Sequence, residues 1–214
     1  LTGLAAKVGN FPGVTVEKKK GTVRLPSGQW VDVIDFPGVY SLHPNSKDEF
    51  IVTNILTHPD DADFPDLVLY VADIMHLEKQ LLLFTQLIDL GLPVIMVLTM
   101  KDLADKDRFS IDLNVLKATW DIPIFAINAR NQESMPAILQ EMDRQLAKPS
   151  PLSQQQYKLS YQEQALVNEL NDVVRTNNAY QSLLVAHYHQ QLNYLKPGQS
   201  EQIGQINTRH GFNS

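Results

Sequence analysis

The sequence of 214 residues contains no cysteine. That excludes a disulfide framework, a thiolate zinc site and an iron–sulfur cluster, and it is compatible with a reducing compartment. A basic excess is also missing: 18 Lys and Arg stand against 24 Asp and Glu, for a net charge of −6. The chain therefore lacks the electrostatic footprint of a non-specific nucleic-acid binder. No long hydrophobic run is present. The most apolar stretch, Leu90–Thr99, is interrupted by Gly91 and Pro93 and falls short of the roughly 20 apolar residues that cross a bilayer. The start, Leu1-Thr2-Gly3-Leu4-Ala5-Ala6-Lys7, has no basic n-region followed by an apolar run and a cleavage site, so it does not read as a signal peptide. It also lacks an initial Met, and the chain is expected to be a fragment. What is present is a hydrophobic fraction of 43%, enough for a packed core in one medium domain or one domain with a smaller appendage.

Hydrophobic periodicity predicts strands over Thr22–Leu25 and Trp30–Asp35, joined by the turn Pro26-Ser27-Gly28. A helix follows over Glu49–Leu56. The runs Asp66–Ala72, Pro93–Leu98 and Pro123–Ile127 have no polar face and read as strands covered on both sides. Between and after them lie helical patterns over Leu77–Leu90, stopped by Gly91, over Ile111–Trp120, capped by Ser110, and over Met135–Ala147. This alternation predicts a mostly parallel sheet with helices on both faces, an α/β fold, with the early hairpin placed antiparallel at one edge. The Pro/Ser stretch Lys148–Ser153 reads as a linker. It divides a first domain, residues 1–149, from a helical subdomain, residues 150–214, with helices predicted over Tyr161–Thr176, Ala179–Leu195 and Ser200–His210.

In an open parallel sheet, ligands bind beyond the carboxyl ends of the strands. Three such ends carry residues with chemistry. The hairpin ends in Asp35-Phe36-Pro37-Gly38. An acidic residue at a strand tip holds magnesium through a water, and a glycine three residues on lets its N–H approach a terminal phosphate. The same four residues also read as a plain turn after a strand. The Pro93–Leu98 strand leads into Thr99-Met100-Lys101-Asp102. A carboxylate there accepts from guanine N1–H and the 2-amino group, a pair adenine does not offer; an Asp capping a helix is the bland alternative. After Pro123–Ile127 comes Asn128-Ala129-Arg130, where a small residue lets backbone N–H groups reach a base oxygen. Upstream, the loop Gly9–Glu17 carries Thr15, whose hydroxyl suits a magnesium shell shared with phosphates. The three strand-end motifs, in this order, carry more than any one of them.

On these residues the sequence resembles the cytoplasmic GTP-binding domain of FeoB-type ferrous iron transporters. The matching stretches are Val8–Lys19, Asp35–Leu42 and Asp73–Leu81, with Gln86–Val97 also similar. The resemblance covers about residues 1–147 well and the helical tail loosely. It implies a Ras-like P-loop GTPase fold followed by a small all-α subdomain. It implies that Gly13, Val14, Thr15, Val16 and Glu17 form the first switch, with Thr15 on magnesium. Asp35 would reach magnesium through water, with Phe36 and Pro37 leading to Gly38 at the γ-phosphate. Thr99, Met100, Lys101 and Asp102 would read guanine, and Asn128, Ala129 and Arg130 would pack under the base. It further implies GTP or GDP with Mg2+, a family dependence on potassium, and slow GTP hydrolysis serving Fe2+ transport. Implied partners are the transporter's own C-terminal transmembrane domain, a small FeoA-type protein and a second copy of the chain, with no nucleic acid, at the cytoplasmic side of a bacterial inner membrane. A ribosome-associated GTPase, or a nucleotide-free interaction module on the same fold, are the competing readings.

Some positions depart from the family. Thr99 stands where Asn is usual, and Asn128 where Ser is usual. Val39 follows Gly38 where Ras-like GTPases often place a water-orienting Gln. No Gly-x-x-x-x-Gly-Lys-[Ser/Thr] occurs in the chain; in the family that loop, which also holds the residue credited with potassium dependence, lies just upstream of the match to Leu1-Thr2-Gly3. The 214 residues are therefore expected to begin within the helix after that loop, and to bind GTP weakly or not at all on their own. His187 and His189, two apart on a helix, face different sides and do not share a metal. His43 and His58 read as solvated surface, Lys18–Lys20 as a solvated part of the switch loop, and Trp30 and Trp120 as packing residues.

Overall fold

The computed structural model describes residues 7–10, 17–131, 133–148 and 156–212. Its elements run β1 (Lys7–Asn10), β2 (Glu17–Arg24), β3 (Trp30–Asp35), α1 (Lys47–Leu56), β4 (Val68–Asp73), a 3₁₀ turn (Ile74–His76), α2 (Leu77–Asp89), β5 (Val94–Thr99), α3 (Lys101–Lys106), α4 (Leu113–Trp120), β6 (Ile124–Ala126), α5 (Met135–Ala147), α6 (Tyr161–Leu170), α7 (Ala179–Tyr188) and α8 (Pro197–His210).

β4, β5 and β6 pair in parallel, with Val68 opposite Val94, Asp73 opposite Thr99, and Leu98 opposite Ala126. The five residues Val94–Leu98 of the middle strand are all buried, as a strand covered on both faces requires. Leu90 and Gly91 end α2; Gly91 adopts φ +71°, the left-handed turn that stops a helix without a Cβ clash. α6 starts on a reciprocal cap: Ser160 Oγ accepts Glu163 N–H at 3.2 Å, and Glu163 Oε2 accepts Ser160 N–H at 2.7 Å.

The antiparallel part is larger than the predicted hairpin. β1, β2 and β3 form a three-stranded sheet of their own, with Asn10 opposite Glu17 and Lys19 opposite Asp35. Among the described residues no strand pairing joins β3 to β4. The two sheets meet through side chains instead: Val23 and Leu25 bury against Ile95, Val97, Ile127, Ile138 and Met142. Asp143 of α5 fixes the hairpin tip, accepting from Ser27 N–H at 2.7 Å and from Ser27 Oγ at 2.6 Å.

Several expectations are corrected. Gly9 and Asn10, expected at the start of a loop, belong to strand β1, because their backbone finds partners along β2. Lys18–Lys20 lie in β2 rather than in a switch loop, and the charges are paired: Lys18 with Asp63, and Lys20 with Asp32 at 2.8 Å. Helix α4 begins at Leu113, capped by Asp112 through Asn114 N–H and Val115 N–H, not by Ser110. α3 has no counterpart in the prediction. The helix expected to reach Thr176 ends at Leu170, and the one expected to reach Leu195 ends at Tyr188. Pro197 opens α8, where its fixed φ suits a first turn, rather than breaking the chain before it. Trp30 is 64% exposed, whereas Trp120 packs edge-on to Phe84 at 4.9 Å. The linker beyond Lys148 lies outside the described residues.

Buried apolar side chains of α6–α8, such as Leu166, Leu170, Leu184 and Ile203, share one cluster with Leu42, Leu56, Phe84 and Leu98 from the first part of the chain. Leu184→Ala in α7 is therefore expected to destabilise by about 2–5 kcal/mol. The loss is expected to move the unfolding transition reported by Trp120 fluorescence in a Trp30→Phe background. An unmoved Trp120 transition would mean that the tail unfolds on its own.

Candidate functional site

The parallel register brings the carboxyl ends of β4, β5 and β6 to one edge. At the end of β4, Asp73 turns the chain: its Oδ1 accepts Met75 N–H at 2.9 Å, and its Oδ2 lies 2.9 Å from His76 Nδ1. The His76 contact, helped by the Met75 N–H, holds the Asp73 carboxyl below the usual carboxylate range. At the end of β5, Thr99 Oγ1 donates to Ala72 O at 3.2 Å, so its hydroxyl ties β5 back to β4. Met100 then adopts φ +64°, an uncommon left-handed conformation for a residue with a Cβ, and this reversal lets α3 begin at once. Asp102 lies half-buried in the first turn of α3, where the helix dipole favours a negative charge. Lys101 is taken up by Asp105 at 2.7 Å. Asp102 has no hydrogen-bond or ion-pair partner among the described residues.

Two backbone bonds carry the β5–β6 pairing past the strands. Ile127 N–H donates to Leu98 O at 2.8 Å and Lys101 N–H to Ile127 O at 3.3 Å. They set Asn128-Ala129-Arg130 beside Lys101-Asp102. Asn128 Oδ1 accepts Arg130 N–H at 3.0 Å, and Asn128 O accepts Asn131 N–H at 3.1 Å, closing a tight turn. Ala129 is exposed at its tip, and its N–H has no acceptor among the described residues. This edge thus offers a free carboxylate and a free backbone donor on neighbouring turns.

Asp35 ends β3, on the other sheet. It is exposed, and its carboxylate is unpaired among the described residues. Phe36 packs against Ile51 and Ile55 of α1. Gly38 has no positive φ, and a Cβ added to it would meet nothing within 4 Å. The chain itself thus makes no steric demand for glycine at this position. Glu17 opens β2 opposite Asn10; Gly13, Val14, Thr15 and Val16 lie outside the described residues. Of the predicted residues, the structure brings Thr99–Asp102 and Asn128–Arg130 together, and sets Asp35–Gly38 at a separate strand end.

The sequence reading passed over the polar groups behind this edge. Gln86 and Asp89 are buried in α2 within the apolar spacing Leu83, Leu87, Leu90. Two polar residues three apart on a core-facing stripe are a signal that could have been read. His43 and His58 are engaged rather than free: His43 Nδ1 lies 3.0 Å from Tyr188 Oη, and His58 stacks on Tyr194 at 4.1 Å. His187 faces His43, while His189 Nδ1 lies 3.1 Å from Ser200 Oγ, so the two rings do point to different neighbours. A cavity of about 530 Å³ in the tail, lined by Asn168, Asn171, Arg175 and Asn178 among others, lies away from these motifs.

Two outcomes are expected from substitutions here. Gly38→Ala leaves stability unchanged or raises it by up to about 1 kcal/mol, measured by urea unfolding; a clear loss would mean that the chain itself needs glycine there. For Asp73, the depressed carboxyl means stability that is present above its ordinary range and lost as pH falls through the lowered value. Asp73→Asn, which keeps a capping oxygen, is expected to cost about 0.5–1 kcal/mol at pH 7. That difference shrinks as pH falls through the lowered Asp73 value, checked by unfolding across an acid pH series.

The family model described as Ferrous iron transport protein B matches residues 1–142. The Fe(2+) transporter FeoB of Leptospira biflexa is 41% identical over 135 residues, covering 63% of this chain and 19% of the relative. That of Legionella pneumophila is 36% identical over 176 residues, covering 80% of this chain and 22% of the relative. The chain thus spans about a fifth of the length of the curated relatives it matches. The cytosolic domain of Thermotoga maritima FeoB in its GMPPNP form superposes with a TM-score of 0.73 at 26% identity, covering 98% of this chain and 86% of that one. The α/β architecture read from the sequence is the GTPase fold of these neighbours, and the chain belongs to the N-terminal domain family of the ferrous iron transport protein B.

Proposed function

We propose that the chain is the guanine-nucleotide-binding part of a ferrous iron transporter, and that its nucleotide lies across the strand ends described above. The observation that carries this is the free Asp102 carboxylate beside the free Ala129 N–H. Guanine presents N1–H and a 2-amino group as donors and O6 as an acceptor. A carboxylate and an N–H side by side complement that edge. Adenine sets a lone pair at N1 against the carboxylate and a donor at N6 against the Ala129 N–H, and buried mismatches of this kind discriminate strongly. The GMPPNP form of the T. maritima neighbour supports the same reading.

At the phosphate end, Asp35 and Thr15 offer only oxygen donors, which suit a hard divalent cation such as Mg2+. The unpaired, exposed Asp35 carboxylate fits a contact made through water. When bound, the ion neutralises charge on the phosphate oxygens. Gly38 presents its N–H to the terminal phosphate with no side chain in the way, which explains a glycine that the chain's own packing does not require. Val39 brings no amide to orient an attacking water, so hydrolysis is slow. The same reading comprises a division at residue 149 into a nucleotide domain and a helical subdomain, a membrane part of the same protein, a FeoA-type partner, potassium dependence and self-association at the cytoplasmic face of the inner membrane. Among the described residues no helix is long and apolar enough to cross a membrane.

The test is amide NMR on the 214-residue chain, which detects the weak binding expected in the absence of a Gly-x-x-x-x-Gly-Lys loop. GTP at millimolar concentration is expected to shift the resonances of residues 99–102 and 128–130. ATP is expected to leave them in place, and Asp102→Ala to abolish the GTP response. Equal responses to GTP and ATP, or a GTP response that survives Asp102→Ala, would overturn the reading. Micromolar affinity would contradict only the expected weakness.

A further inference from the structure

Helix α2 buries Leu83, Phe84, Leu87 and Ile88, and with them Gln86 and Asp89. A buried amide or carboxylate costs about 1–3 kcal/mol unless it is hydrogen-bonded. Both are bonded, and both reach segments outside the helix. Asp89 Oδ1 accepts Gln156 N–H at 2.6 Å and Tyr157 N–H at 2.9 Å, where the chain enters the helical tail. Gln86 Oε1 accepts Leu42 N–H at 2.7 Å, and Gln86 Nε2 donates to Ser41 Oγ at 3.2 Å. Leu42 is fully buried, and its carbonyl accepts Thr53 Oγ1 at 3.0 Å. One residue on, His43 meets Tyr188 of α7 at 3.0 Å. The segment after Gly38 is therefore held by α2 through Gln86 from one side and by α7 through Tyr188 from another.

We propose that Gln86 is a positioning residue: its buried amide fixes Ser41 and Leu42 and so seats the next residue, His43, against Tyr188 of α7, so that the Gly38 loop and the helical tail shift together. The role of that loop as a phosphate sensor rests on the proposed nucleotide reading; the coupling is a property of the chain without ligand. A pull on Gly38 is transmitted within four residues to the Leu42–Gln86 bond. Because linkage is reciprocal, unseating α7 loosens the Gly38 loop by the same free energy. An apolar residue at position 86 would keep the helix and its burial but leave the Leu42 N–H without an acceptor.

Hydrogen exchange on the nucleotide-free 214-residue chain tests this. Gln86→Leu is expected to speed exchange about tenfold or more in peptides spanning both 38–45 and 179–188. Gln86→Glu keeps an oxygen for the Leu42 N–H and, when protonated, a donor for Ser41, and is expected to restore most of the protection in 38–45. Tyr188→Phe removes only a tail-side hydroxyl and is expected to speed exchange in 38–45. Faster exchange in 38–45 alone under Gln86→Leu, no rescue by Gln86→Glu, or no response of 38–45 to Tyr188→Phe would each overturn the proposal. Should Gln86→Leu not fold, Tyr188→Phe decides it. No nucleotide enters the experiment, so failure here leaves the guanine reading standing, and failure of that reading leaves this result unchanged.

Discussion

The parallel pairing of β4, β5 and β6 is the constraint on which the other features depend. Parallel strands cannot be joined by tight turns, so each must hand the chain to a covering segment at its carboxyl end. With Asp73 opposite Thr99 and Leu98 opposite Ala126, three departures of the chain are forced to one edge. Each departure is made by a local device: the Asp73 cap, the left-handed Met100 and the Asn128 turn. The devices consume the polar groups of Asp73, Thr99 and Asn128. Asp102 and the Ala129 N–H remain, and the chemistry of the edge is theirs.

A second layer supports that edge from behind. α2 is the helix between β4 and β5, and its buried face meets both the segment after Gly38 and the helical tail. In a core of Leu, Ile and Phe, two polar side chains specify which loop docks where, because each misplacement leaves an amide or a carboxylate unsatisfied. Tyr180, whose hydroxyl is pushed up to about 12 by burial and by the nearby Asp89, stays neutral within this layer at any physiological pH. Elsewhere in the tail, Gln181 Nε2 donates to Leu56 O at 2.8 Å and Tyr194 Oη to Thr57 O at 2.8 Å. These bonds satisfy the carboxyl end of α1 with groups from the tail.

Local pattern carried much of this architecture. Met135–Ala147 reads directly from its period, and Val94–Leu98 from an apolar run too short for a helix. The juxtaposition of Thr99–Asp102 with Asn128–Arg130 was legible as well, because adjacent parallel strands place their ends together. What pattern could not carry was non-local or brief. α3 has six residues and depends on Met100 taking a conformation its side chain disfavours. The separate antiparallel sheet depends on which backbone finds which partner, and composition does not record that. Lys18 looks solvated until Asp63, forty-five residues away, is brought to it. The tail helices end early, at Leu170 and Tyr188, where nothing in the period marks a stop.

The proposed nucleotide spans two strand ends, with its metal at Asp35 and its base at Asp102. Paramagnetic broadening of amide resonances by Mn2+ with GTP, in place of Mg2+, tests it most directly, since both ions take oxygen ligands in similar geometry. The expected result is strong broadening centred on residues 35–38, with the resonances of Asp102 and Ala129 displaced but much less broadened. Broadening centred elsewhere, with Asp102 and Ala129 undisturbed, would contradict the account.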